Sequence, residues 1–114
     1  MIDNMEKTAA LIQKLEAALP VPALATTALR ETLGQRLKRH VPRKCNVTKI
    51  FYLGDDGGIT CTLDFGLDGV TEACIVSITH LSFERQHPLA REIGAYCKRR
   101  IKQIRKRDRR MPFR

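Results

Sequence analysis

The sequence PLAREIGAYCKRRIKQIRKRDRR, residues 88–110, decides how the rest of the chain must be arranged. Pro88 suits the first turn of a helix, and His87 then falls at the N-cap. Arg100 and Arg107 lie within the apolar stripe of this predicted helix. Each must therefore either extend its guanidinium group to water, with its stem along the apolar surface, or pair that group with a carboxylate. The stripe needs an apolar partner surface. Its members recur at helical spacing and are Leu89, Ile93, Tyr96, Cys97, Ile101 and Ile104.

The second half of this helix carries the charge imbalance of the protein. Residues 98–114 hold ten Lys or Arg and one acid, whereas residues 1–97 hold equal numbers of basic and acidic residues, so the formal net charge of +9 lies in residues 98–114. No acid precedes Lys98, Lys102 or Arg105 by three or four positions, where a helical ion pair would need it. The C-terminal end of a helix attracts a few cations, but the ten Lys and Arg side chains of residues 98–114 repel one another. The pattern therefore indicates either an anionic partner or a solubilising tail.

Length and composition indicate one small domain. The chain has 114 residues with 43% hydrophobic content, which is enough for one core and too little for two ordinary domains. We place the domain at residues 1–107, followed by a basic tail at residues 108–114 that can be disordered. No apolar run approaches the roughly 18 residues of a membrane span, and the start MIDNMEK lacks the features of a secretory signal. We expect a cytoplasmic protein without membrane contact.

Two helices and three strands are predicted before the last helix. Asp3 and Glu6 have the spacing of a capping box and open a helix over about residues 4–19. Pro22 can begin a second helix over about residues 22–40. Alternating apolar residues then predict strands, with turns between them, at residues 45–53, 59–65 and 70–79.

The short turns between these strands require an antiparallel meander. The predicted fold class is therefore α+β: a two-layer domain of order ααβββα, with the three-stranded meander covered on one face by helices. Over about residues 22–107 the αβββα order is similar to that of double-stranded-RNA-binding domains, which would imply contacts to duplex shape and phosphates. The resemblance is one of topology. That family carries a lysine-rich motif where the last helix begins, and this chain has QHPLA, residues 86–90, at that place.

Two basic clusters are the main functional signal, one at residues 36–44 and one at residues 98–110. They form one positive surface if the two helix ends share an edge of the fold. Lys and Arg that neutralise phosphates favour binding to DNA or RNA. Only Phe113 supplies an aromatic ring near the second cluster, so backbone contacts are favoured over base stacking. The candidate contacts are Arg39, Arg43, Lys44, Lys98, Arg99, Lys102, Arg105, Lys106 and Arg109.

The alternative is a protein-interaction module, in which the basic helix docks on an acidic partner or on a second copy of the chain. We expect no enzyme, since the only cluster with acid–base character, His80, Glu84 and His87, has no recognisable nucleophile motif. The four cysteines can converge in the core. Their gaps are too wide for a typical structural zinc site, so we expect reduced, buried thiols and no metal or cofactor.

Overall fold

The computed structural model of the protein describes residues 2–69 and 74–109, with the side chain of Arg109 outside the described part. The first residues of the predicted third strand and the end of the basic tail, residues 70–73 and 110–114, also lie outside it. The elements in chain order are α1 (Met5–Ala18), β1 (Val21–Ala25), α2 (Thr27–Leu37), β2 (Lys44–Tyr52), the single-turn α3 (Gly54–Gly57), β3 (Ile59–Asp64), β4 (Cys74–Ser77), a 3-10 turn (Ile78–His80), β5 (Leu81–Ser82) and α4 (Ala90–Arg109).

The predicted α+β class is confirmed, but the sheet is larger than the meander we expected. Within residues 2–69 and 74–109 it has five antiparallel strands in the order β4-β3-β2-β1-β5. The meander of β2, β3 and β4 is present, and β1 and β5 extend it beyond β2. The predicted order ααβββα is therefore not matched exactly, because β1 and β5 are inserted into it.

The predicted helix over residues 22–40 was wrong in its first part. Residues 21–25 form β1, in which Val21, Ala23 and Ala25 are buried and the residues between them are more exposed. On its β5 side, β1 pairs only through Leu24 and Ala25. Pro22 lies outside that stretch, so its missing N–H removes no hydrogen bond to β5. The helix α2 begins only after Thr26, whose side chain accepts a hydrogen bond from the Leu29 amide at 3.3 Å.

The segment 80–87, in which we predict no strand from the sequence, supplies the other new strand. Ala25 pairs with Leu81 and Leu24 with Ser82, so β5 closes the sheet beside β1. A 3-10 turn precedes it, where we had expected the third strand to continue to residue 79. The strand β5 could not be predicted from the sequence, because its two residues are too few to show an alternation of apolar and polar side chains.

An irregularity in β2 changes which side chains face the core. Val47 pairs with Leu63, and Lys49 pairs with Thr62, so one extra residue, Thr48, is accommodated between them as a bulge. Ile50 and Tyr52 consequently lie on the same face as Val47. Bulges bend and twist a strand, consistent with the curl of this sheet.

The core lies between the sheet and the three long helices. Inward residues of the strands, such as Val21, Val47 and Ile59, join one cluster with residues of the helices. The helices contribute Leu11 and Leu15 from α1, Leu29 and Leu33 from α2, and Ile93 and Tyr96 from α4. Helices therefore cover one face of the sheet, as predicted.

Among residues 2–69 and 74–109, no helix is long and apolar enough to cross a lipid bilayer.

The first turn of α1 differs from the predicted capping box. The N-cap is Asn4, whose side chain accepts a hydrogen bond from the Lys7 amide at 3.0 Å. Asp3 instead points into the protein and is 5% exposed. A carboxylate placed there needs a partner, since an unpaired buried charge is costly.

Arg100 of α4 supplies that partner. Its guanidinium Nη1 lies 3.2 Å from Asp3 Oδ2, and both side chains are almost completely buried. The hydroxyls of Tyr96 and Tyr52 donate to the same carboxylate oxygen at 2.8 and 3.0 Å. Arg100 Nη2 also donates to the carbonyl of Asp55 at 2.8 Å. The charge that interrupts the apolar stripe of α4 thus meets a carboxylate, one of the two outcomes that we predicted for it.

Breaking this pair on one side is expected to destabilise the fold strongly. Arg100→Met leaves the Asp3 carboxylate buried without its cation, and such a loss costs about 3–5 kcal/mol. Urea unfolding measures the free energy of unfolding. Lys14→Gln is the control, because it opens the exposed Lys14–Glu92 pair at 2.8 Å, and exposed pairs contribute about 0–1 kcal/mol. Equal effects of the two substitutions would contradict a dominant role for the buried pair.

Candidate nucleic-acid interface

The helix α4 presents cations on the side opposite the core. Ile93, Tyr96 and Arg100 are buried and fix the rotation of the helix. Lys98 and Lys102 are exposed on the outer side. At 3.6 residues per turn, Arg105 and Arg91 fall on the same outer line. We had not included Arg91 in the candidate set, although its spacing of seven residues from Lys98 was the available signal.

Four of the predicted contact residues line one groove. This shallow groove of about 310 Å³ is bounded by Ile101 and by the cations Lys98, Lys102, Arg105 and Lys106. No acidic side chain lines it, and no ion pair involves these four cations within the part of the chain that the structure describes. The groove therefore combines four positive charges with no internal neutralisation.

Arg99 and Arg109 occupy different positions. Arg99 is turned toward α1 and lines a separate groove with Lys7 and Lys14. Arg109 is the last residue of α4, and its side chain lies outside the described part. The sequence offered a signal for Lys7 and Lys14, since a spacing of seven residues puts both on one side of α1.

The second cluster of basic residues lies at the other end of the sheet. Lys44 begins β2, whereas Arg100 contacts the turn that follows Tyr52, the last residue of that strand. At a rise of about 3.3 Å per residue, the strand separates these two places by roughly 26 Å. The two helix ends therefore do not share an edge, and the single positive surface considered from the sequence is not formed.

Two side chains of the second cluster, those of Arg39 and Lys44, have polar neighbours within the protein. Arg39 Nη1 donates to the carbonyl oxygen of Asp68 at 2.9 Å. Lys44 lines a groove together with Asp64 and Glu84. Arg43 is exposed and its carbonyl accepts from the Ala25 amide at 2.8 Å. Lys44 therefore has acidic groups around it, unlike the four cations of the α4 groove.

His80, Glu84 and His87 are held by backbone contacts. His87 Nδ1 accepts a hydrogen bond from the Leu89 amide at 3.1 Å, which is a capping role as the chain enters α4. The His87 amide donates to the Glu84 carbonyl at 3.0 Å, and the His80 carbonyl accepts from Thr26. Within the described residues, no hydrogen bond joins the three side chains to one another. The sequence neighbours are thus not assembled into an acid–base pair.

The cysteines lie in or beside the core. Cys45, Cys61 and Cys74 are buried and Cys97 is partly buried, all as free thiols. Burial raises the pKa of the Cys61 thiol to about 12, with further contributions from Cys97 and Cys45. Burial also raises the pKa of the Cys97 thiol to about 11. Thiolates are scarce at neutral pH under these conditions, so the thiols are poor nucleophiles.

Metal ligands are not brought together in the described part of the chain. Residues 2–69 and 74–109 hold no group of three or more His, Cys, Asp or Glu side chains placed to bind a metal ion. The thiol of Cys97 instead donates to the carbonyl of Ile78 at 3.9 Å, and that of Cys45 to the carbonyl of Ala23 at 3.7 Å. These thiols therefore act as packed core groups.

Known proteins give no further indication of the class of this protein. No protein-family model, curated protein or solved structure gives a significant match to the chain.

Stability is expected to decline as the pH rises above about 9. A thiol has a pKa of 9.0 without the protein environment, and in the folded protein the pKa of Cys61 is about 12. Below pH 9 both states keep the proton and the contribution is constant; above it only the unfolded state ionises, so stability is lost. Urea unfolding at stepped alkaline pH tests this. Cys61→Ala should show a shallower decline, and an identical pH slope in both proteins would contradict the assignment.

Proposed function

We propose that the protein binds nucleic acid through the exposed cations of α4, by contacts to the phosphate backbone. The observation that carries the proposal is the groove formed by Lys98, Lys102, Arg105 and Lys106, which contains four cations and no acid. Cations that repel one another in the free protein are stabilised when phosphates replace their counterions.

The spacing of the cations suits a polyanion. Lys98 and Arg105 are seven residues apart on α4, which corresponds to roughly 10 Å along the helix axis. Duplex DNA presents about one negative charge per 1.7 Å of its axis, so several phosphates lie within reach of the groove. Arg105 can also donate two parallel hydrogen bonds to a phosphate.

The character of the groove favours contacts to the backbone over contacts to bases. Ile101 is the apolar side chain among its lining residues, and no aromatic ring lines the groove. Proteins that hold single strands by stacking use aromatic platforms. We therefore propose a duplex ligand, bound with weak sequence preference because phosphates carry no sequence information.

Arg39, Arg43 and Lys44 have a secondary place in this proposal. They lie at or before the start of β2, and roughly 26 Å of that strand separates Lys44 from the turn that Arg100 contacts, so they do not belong to the helix groove. They would contribute only to a ligand that extends across the sheet. Arg99 and Arg109 lie on the same helix and also have a secondary place, since Arg99 lines the groove beside α1 and Arg109 is the last residue of α4.

The proposal predicts a salt dependence that specific charges control. Binding of labelled mixed-sequence duplex DNA and RNA, measured by fluorescence anisotropy across a salt series, should give a slope of about −0.9 per neutralised phosphate on duplex DNA. Lys102→Gln with Arg105→Gln should make the DNA slope shallower by about 1.8 and weaken binding at every salt concentration.

Lys49→Gln with Arg85→Gln is the matched control. It removes one Lys and one Arg from exposed positions outside the groove, so the net charge changes equally. If the control pair alters affinity and slope as much as the groove pair does, binding follows net charge and the proposed interface is wrong. Absence of binding at low salt by the unmodified protein would overturn the proposed function itself.

The second candidate is docking of α4 on an acidic protein or on a second copy of the chain. The turn between β2 and β3, which carries Asp55 and Asp56, offers an acidic surface for such a dimer. Asp55 is already engaged within the chain, because its Oδ1 accepts from the Ile2 amide at 2.9 Å and its carbonyl accepts from Arg100. Light scattering at low and high salt separates the candidates, since a dimer that salt dissociates would favour this one.

A further inference from the structure

A larger groove lies between α1 and α4, separate from the candidate nucleic-acid interface. It encloses about 490 Å³, within the range of roughly 300–1,000 Å³ typical of sites for small molecules. Its apolar lining comes from Ala10 and Leu11 of α1 and from Ala95 and Tyr96 of α4. The two alanines are exposed and small, so the helices leave space between them.

The two helices run antiparallel, which gives the groove two distinct ends. At one end Lys14 Nζ lies 2.8 Å from a carboxylate oxygen of Glu92, and this pair bridges the helices. At the other end Asp3, just before α1, meets Arg100 of α4. Lys7 lies between these ends on α1. Seven residues separate Lys7 from Lys14, or roughly 10 Å along the helix.

The charges of this groove do not balance. Glu92 neutralises Lys14, and Arg100 neutralises Asp3. Lys7 and Arg99 line the groove as well, and neither takes part in an ion pair among the described residues. The groove thus offers two uncompensated cations beside an apolar lining. That combination complements a molecule with an anionic head and an apolar body.

We propose that this groove binds a small amphipathic anion, a carboxylate carried on an unbranched apolar chain. The carboxylate would lie between the ammonium group of Lys7 and the guanidinium group of Arg99, which can donate two hydrogen bonds to it. The chain would follow Ala10 and Ala95 toward the Lys14–Glu92 pair. That pair lies roughly 10 Å from Lys7 along α1, a distance that matches the extended chain of octanoate or decanoate.

This site is independent of the proposed nucleic-acid function. Its cations come from α1 as well as α4, and the alanines and Tyr96 give it an apolar lining that a phosphate backbone does not need. It also gives Arg99 a role that its orientation supports better than contact with the groove of Lys98 and Lys102. The test below uses no nucleic acid, so it stands whether or not the α4 interface binds one.

Isothermal titration calorimetry of the full chain with decanoate tests the proposal, at decanoate concentrations below those at which it forms micelles. We expect saturable binding of one decanoate per chain. Decanol, with the same chain and no charge, should bind at least about tenfold more weakly, because hydrogen bonds to charged groups are lost. Arg99→Gln should weaken decanoate binding about tenfold, whereas Arg85→Gln, which removes an exposed cation elsewhere, should leave it unchanged.

A bulky side chain provides a second test that does not depend on charge. Ala95→Trp places a large ring in the groove at an exposed position, so the fold is expected to be retained, which circular dichroism verifies. Decanoate binding should be abolished. Ala28→Trp on α2 is the control and should bind as the unmodified protein does. Non-saturable uptake, equal affinity for decanoate and decanol, or unchanged binding by the Ala95→Trp protein would each overturn the proposal.

Discussion

The buried pair of Asp3 and Arg100 is the contact on which the arrangement of the helices depends. It joins residues 97 positions apart in sequence, and so links the start of α1 to the middle of α4. The same guanidinium reaches the carbonyl of Asp55 in the turn between β2 and β3. Removing two charges from water is costly. Here the tyrosine hydroxyls and backbone carbonyl oxygens supply the hydrogen bonds that offset this cost. A contact of this geometry also selects one orientation of α4 over its neighbours.

That orientation divides α4 into parts with different energetic roles. As far as Arg100 the helix is anchored by Ile93, Tyr96 and the buried pair. Beyond Arg100, Gln103 and Ile104 are only partly buried and most other positions are exposed. The charged half is therefore held in a helix chiefly by the stability of the half that precedes it. Repulsion among its cations opposes folding, and an anion bound there would relieve it. Stability and binding are in this way coupled along one helix.

The elements predicted well were those with long periodic patterns. The last helix, the first helix and the strands β2 and β3 each gave enough residues to show a period. The strand β1 was missed because Pro-Ala-Leu-Ala contains good helix formers beside a proline that suits a helix start. Sequence also showed that Arg100 needed a partner. It could not show which carboxylate lay near, because Asp3 fits a local capping pattern equally well. The separation of the two basic clusters likewise depends on tertiary geometry, as does the placement of Lys7 and Arg99 along one groove.

The bulge at Thr48 has a consequence for what a change in the length of β2 would do. Before it, odd-numbered residues such as Val47 face the core; after it, even-numbered residues such as Tyr52 do, and only then can the Tyr52 hydroxyl reach Asp3. Deleting Thr48 would remove the bulge and restore a uniform alternation, in which Lys49 stays outward and Ile50 and Tyr52 stay inward. The inward face of β2 would therefore survive the loss of this residue, although the hydrogen bond from the Thr48 hydroxyl to the Thr62 carbonyl at 3.3 Å would be lost. What a shortened β2 would give up is the local bend and added twist that the bulge provides.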